Sequence, residues 1–149
     1  MQAFKIHGGI KLSGEVIPQG AKNEALQIIC ATLLTADEVF INNIPDIIDI
    51  NKLIYLLKSL GVEVNKIKPN SYSFKAENIN LNYLNSDKFK IDGKSLRGSI
   101  MIVGPLLARF GKAYIPRPGG DKIGRRRLDT HFEGLIKLGA KFSLSLIHI

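Results

Sequence analysis

At 149 residues, with 45% hydrophobic and 23% charged side chains, the chain has the balance of one globular domain or of a piece of a larger protein, which excludes a disordered tract. A net charge of +8 points to an anionic partner, whether phosphate groups, nucleic acid or an acidic surface, without choosing among them. A single cysteine excludes an internal disulfide, no cysteine–histidine spacing suggests a metal, and no stretch approaches the roughly 18 apolar residues of a membrane span.

The opening "MQAFKIHGGIKLSG" lacks the apolar run of a signal peptide, so a soluble cytoplasmic protein is the expectation. Residues 23–34, "NEALQIICATLL", are apolar almost throughout and predict a helix buried on most sides, with Cys30 as an inert core thiol. "VFINNI" predicts a short strand ended by Pro45 and Asp46. A second helix follows over 50–60, with Gly61 as its C-cap and Asp49 at its N-cap or first turn. The alternating runs "VEVNKI" and "SYSFKA", joined through Pro-Asn-Ser, predict a hairpin. The same order is then expected again: strand "KFKID", helix 98–108, strand "KAYIP", the loop "RPGGDKIGRRRLD", helix 128–138 and strand "AKFSLSL". Strands alternating with helices, plus hairpins, predict an α/β or α+β layer structure with a mixed sheet.

The recurrence extends to sequence. "GAKNEALQIICATLL" (20–34) aligns with "GKSLRGSIMIVGPLL" (93–107) at an offset of 73 residues, and "LIYLLKSLGVEV" resembles "FEGLIKLGAKF" with Gly61 and Gly139 at an offset of 78. A duplicated unit of roughly 75 residues is therefore expected, its second copy longer by about five residues within the basic loop. The second copy stops inside its first hairpin strand, which would leave an apolar edge, so the chain reads as a fragment.

Three places gather cations. In the loop, Gly119 and Gly120 allow a close backbone approach, while Arg125, Arg126 and Arg127 offer guanidinium forks suited to phosphate or carboxylate. Lys22 and Asn23 stand at the start of the first helix, where an ammonium and helix-end N–H groups coincide; the simpler alternative makes Asn23 the N-cap and Lys22 a surface residue. "KSLRGS" puts Arg97 at the start of the corresponding second-unit helix. Together these could converge on one doubly anionic ligand. The loop lacks aromatic stacking groups, which disfavours nucleic acid. His7, His131 and His148 read as structural.

With those segments in place, the sequence resembles the UDP-N-acetylglucosamine 1-carboxyvinyltransferases, enolpyruvyl transferases of the EPSP synthase-like superfamily that begin peptidoglycan precursor synthesis. The resemblance is carried by "GEVIPQGAKNEAL", "LRGSIMIVGPLLARFGKAYIPRPGGDKIG" and "RRLDTHFEGLIKLGAKF". It implies an inside-out α/β barrel of repeated βαβαββ-type units, helices inside and sheets outside. Residues 1–21 would belong to a second, largely missing domain, and residues 22–149 would form about two of three repeats of the first, inactive alone. The implied reaction moves the enolpyruvyl group of phosphoenolpyruvate to the 3-hydroxyl of UDP-N-acetylglucosamine and releases phosphate, with no cofactor and no metal. Lys22, Asn23 and Arg126 match the phosphoenolpyruvate-binding positions, Lys22 also counting as catalytic. Arg97, Arg126, Arg127, Leu128, Asp129 and Thr130 match positions at the sugar nucleotide.

Two residues depart from the family pattern. Asp121 stands where most members have a cysteine, the acid that protonates the methylene carbon. It is therefore the implied catalytic acid, and the protein is expected to resist fosfomycin, which alkylates that cysteine. Neighbouring arginines and Lys122 should keep Asp121 ionised, so its protonation requires bound anions or the exclusion of water. Arg127 replaces a common proline and either strengthens diphosphate contacts or faces solvent. The competing readings are the sister transferase of the shikimate pathway, against which the "GGDKIGRRRLD" loop argues, and a basic module for RNA or an anionic surface.

Overall fold

The computed structural model describes residues 3–116, 119 and 127–143. Residues 3–21 carry no regular secondary structure. Helix α1 then runs over Lys22–Ala31 and tightens into a 3-10 turn at Thr32–Leu34. The hydroxyl of Thr32 donates to the carbonyl of Ile29 at 2.7 Å, a side-chain bond that competes with the regular ladder where the helix ends. Strand β1 (Glu38–Ile41) follows, then helix α2 (Ile48–Leu60).

Gly61 ends α2 as a helix-closing glycine should. Its φ is 107°, a left-handed value costly for any residue with a Cβ. Gly61 N–H donates to Lys58 O and Val62 N–H to Leu57 O, each at 3.0 Å, the paired bonds of a Schellman motif. The chain then makes the expected hairpin, β2 (Glu63–Lys68) and β3 (Ser71–Lys75), turning through Asn70 at φ 60°.

The strands form a three-stranded sheet in the order β1-β3-β2 with both pairs antiparallel, so among the described residues the sheet is antiparallel rather than mixed. Val39 and Val64 flank Phe74 in register, which gives the sheet an apolar face. Phe74 is fully buried there with Ile29, Leu33, Leu53, Leu57 and Leu60 of the helices, so the core lies between the sheet and α1 and α2.

The second unit departs from expectation. "KFKID" is not a strand but lies in helix α3 (Asp87–Lys94). Ser86 caps it, its hydroxyl accepting from Phe89 N–H at 3.1 Å, and Asp87 pairs with Lys90 one turn on at 2.7 Å. The alternation of Phe89 and Ile91 that suggested a strand is incidental, since Phe89 is fully buried and Ile91 exposed on a helix face. The predicted helix 98–108 begins as a 3-10 segment, Arg97–Ile102, and becomes α-helical as α4 (Val103–Phe110). Pro105 explains the position: without an N–H it fits only in a first helical turn.

"KAYIP" forms no strand either. It has no ladder partner among the described residues, and Ala113 and Ile115 pack against the core instead. The last helix, α5 (Asp129–Lys137), lies within the predicted 128–138. Of "AKFSLSL", residues 140–143 are not strand, and the rest lies outside the described residues. The helical half of the predicted repeat is thus present twice, whereas the described strands all belong to the first unit.

Candidate functional site

The starts of α1 and of the 3-10 segment Arg97–Ile102 lie on one cleft of about 640 Å³. Lys22 and Asn23 open α1 on one side, and Lys94 and Arg97 stand on the other. Asp49 and Lys52 of α2 also line it, and Leu26, Leu96, Ile100 and Met101 form its apolar part. Asn23 is not the N-cap of α1; that position belongs to Ala21, whose backbone is extended and which offers no side-chain cap. Asn23 lies within the first turn instead, leaving the helix-end N–H groups without a side-chain acceptor at the cap.

The electrostatics of the cleft favour an anion. Lys22, Lys52, Lys94 and Arg97 line it beside a single described carboxylate, Asp49. Lys22 Nζ donates to Asp49 Oδ2 at 3.2 Å, with the two side chains 50% and 41% exposed. Lys52 Nζ donates to the carbonyl of Ser95 at 3.3 Å. Partial exposure leaves the ammonium groups reachable by a ligand, while the oriented N–H groups of α1 add positive potential.

Two of the three cation-bearing places singled out in the sequence therefore meet at one cleft. Of the third, Arg125, Arg126 and Asp121 lie outside the described residues. Gly119, two positions before Asp121, is described: a Cβ placed on it would come within 1.9 Å of the Lys94 carbonyl oxygen, so only glycine fits against that cleft residue. Arg127, Leu128, Asp129 and Thr130 stand at the start of α5 and are not among the described lining residues. There Arg127 Nε donates to Asp129 Oδ2 at 2.6 Å.

Sequence reasoning overlooked Lys52 and Lys94 and gave Asp49 only a helix-start role. Asp49 does lie in the first turn of α2, but Ile47 holds the N-cap position. The available signal was the i, i+3 spacing of Asp49 and Lys52, which puts both on one helix face. Lys94, likewise, stands only three residues before Arg97. Cys30 is buried, and burial pushes its thiol up to about 12, so it takes no part in this chemistry at neutral pH.

The profile of the EPSP synthase (3-phosphoshikimate 1-carboxyvinyltransferase) family matches residues 6–146, and the chain belongs to that family. Within it, the chain is 66% identical over 142 residues to a UDP-N-acetylglucosamine 1-carboxyvinyltransferase of Bacteroides thetaiotaomicron, covering 95% of this chain and 33% of that protein. A protein of the same name from Porphyromonas gingivalis is 56% identical over 140 residues (94% of this chain, 32% of its own), and one from Borreliella burgdorferi 40% over 146 residues (96% and 32%). The chain spans about a third of the length of the curated relatives it matches.

Proposed function

We propose that this chain is part of an enolpyruvyl transferase that moves the carboxyvinyl group of phosphoenolpyruvate to the 3-hydroxyl of UDP-N-acetylglucosamine, releasing phosphate in the first committed step of peptidoglycan precursor synthesis in the cytoplasm. The observation that carries the reading is the cleft shared by Lys22, Asn23 and Arg97, in a chain whose relatives bear the name of that activity. Phosphoenolpyruvate carries a phosphate and a carboxylate, and the departing phosphate gains negative charge. Ammonium and guanidinium groups with helix-end amides stabilise both.

In this reading Lys22, Asn23 and Arg126 hold phosphoenolpyruvate. Arg97 and the run Arg126, Arg127, Leu128, Asp129 and Thr130 hold the sugar nucleotide. Asp121 gives its proton to the methylene carbon while the sugar hydroxyl attacks the neighbouring carbon and yields its own proton to a base outside this chain. The bond to phosphate then breaks as the new methyl group loses a proton, which restores the double bond. Residues 22–149 form part of a first domain built as an inside-out barrel, and residues 1–21 pack with a second domain. Phe4, Ile6, Ile10, Leu12, Val16 and Ile17 support that division, because all six are largely exposed and none joins the core. The chain alone is then inactive, the site being completed by residues beyond it.

Phosphate release tests the reading. The full-length protein containing this chain should release phosphate only when phosphoenolpyruvate and UDP-N-acetylglucosamine are both present, and the 149-residue chain alone should release none. Turnover with shikimate 3-phosphate in place of the sugar nucleotide would assign it to the sister reaction instead.

A further inference from the structure

Helix α2 supplies no residue to the roles above, yet its first turns hold both walls of the cleft. Asp49 accepts from Lys22 Nζ at 3.2 Å, and Lys52, three residues on, donates to the carbonyl of Ser95 at 3.3 Å. Lys22 opens α1 on one wall, and Ser95 lies two residues before the Arg97 that opens the other. All five residues line the same cleft.

A cation at a helix N-terminus is poorly placed, because the exposed N–H groups and the helix dipole repel it. Nothing on α1 corrects this: Ala21 offers no cap, and Glu24, in the same turn, is two positions from Lys22, a spacing at which helical side chains do not face each other. Asp49 comes from a different helix and lies in its first turn, where a carboxylate is favoured. Its contact with the Lys22 ammonium restrains a side chain that is otherwise flexible. Lys52 acts on the opposite wall, fixing the backbone that leads into Arg97.

We infer that Asp49 and Lys52 are positioning residues of the transferase site, Asp49 presenting Lys22 to phosphoenolpyruvate and Lys52 presenting Arg97 to the sugar nucleotide. The inference rests on the transferase reading. Neither residue is assigned a bond to substrate. Both contacts are exposed and add little to folding, so their loss shows in affinity rather than in stability.

The full-length protein provides the test. Asp49→Asn should raise the KM for phosphoenolpyruvate about tenfold while kcat and the KM for UDP-N-acetylglucosamine stay within about threefold, and Asp49→Glu should recover most of the loss. Lys52→Met should raise the KM for the sugar nucleotide about fivefold, with Lys52→Arg as its rescue. Parental KM values in Asp49→Asn and Lys52→Met, or a loss confined to kcat that the conservative variants do not relieve, overturn the inference. A readout without turnover accompanies this: acetic anhydride labelling of Lys22, followed by mass spectrometry in the absence of substrate, should be several-fold faster in Asp49→Asn, with Lys68 unchanged. Equal labelling rates overturn the Asp49 role whether or not the protein is active. A parent protein that releases no phosphate, yet shows the faster Lys22 labelling in Asp49→Asn, supports the holding of Lys22 and counts against the transferase reading alone.

Discussion

Asp121 is the residue on which the proposed chemistry turns. With Lys122, Arg125, Arg126 and Arg127 so close in sequence, Asp121 is expected to be ionised in the absence of ligand, and an ionised carboxylate cannot donate a proton. In the proposed mechanism the anionic substrates supply the missing negative charge, so protonation is expected only in the ligand-bound state. Asp121→Asn in the full-length protein should lower kcat by about 100-fold or more, the usual contribution of a positioned acid, and near-parental turnover would remove Asp121 from the mechanism. The same carboxyl group is a poor nucleophile beside a cysteine thiolate. Incubation with fosfomycin should therefore leave activity and mass unchanged, and a stable adduct on Asp121 would contradict the assignment.

At the scale of elements, α3 shows how a local pattern misleads. Five residues alternating polar and apolar fit a strand equally well, and the decision came from Ser86 before them and from the buried place that Phe89 takes. The helix is tied to the preceding 3-10 segment, Leu81–Asn85, by Tyr83, whose hydroxyl donates to Asp92 Oδ2 at 2.7 Å and whose ring meets Phe89 edge-on at 5.5 Å. Burial, followed by the bond to Asp92, pushes the Tyr83 phenol up to about 12. An unfolded tyrosine ionises near pH ~10, so the unfolded chain loses this proton first, and the stabilisation present below that pH fades as pH rises toward 12. Tyr83→Phe keeps the ring contact and removes the titration. Its urea midpoint should lie below the parent's at neutral pH and fall less steeply across the alkaline range; parallel curves would show that Tyr83 does not titrate in this way.

Across the whole molecule, Arg109 links parts distant in sequence. Its Nη1 donates to the carbonyls of Leu33, Thr35 and Ala76 at 3.1, 2.9 and 2.7 Å, joining α4 to the end of the first helical run and the end of the sheet. The guanidinium is half-buried and also lies 4.9 Å from the centre of the Phe110 ring. Arg109→Met leaves those carbonyls without their donor and should cost roughly 2–4 kcal/mol, read as a lower urea midpoint at unchanged slope. Arg109→Lys should recover less than half, because an ammonium lacks the planar fork. A loss below about 0.5 kcal/mol would show that the two units hold together without this bond.

Much of the first unit could be read directly. Its helices, hairpin and Gly61 cap follow from hydrophobic periodicity and turn chemistry, which act over a few residues. Lys22, Asn23 and Arg97 were likewise visible as cations and amides at helix starts. What the chain order could not decide was which strands find partners: "KAYIP" alternates as well as β3 does, but a strand exists only where another backbone accepts its hydrogen bonds. Nor could it show that α2 would reach across to both walls of the cleft. Lys22 and Asp49 are 27 positions apart, Lys52 and Ser95 are 43, and only the packing of the helices brings each pair together. Propensity is local, whereas pairing and convergence depend on contacts between remote segments, and these come into being with the tertiary fold.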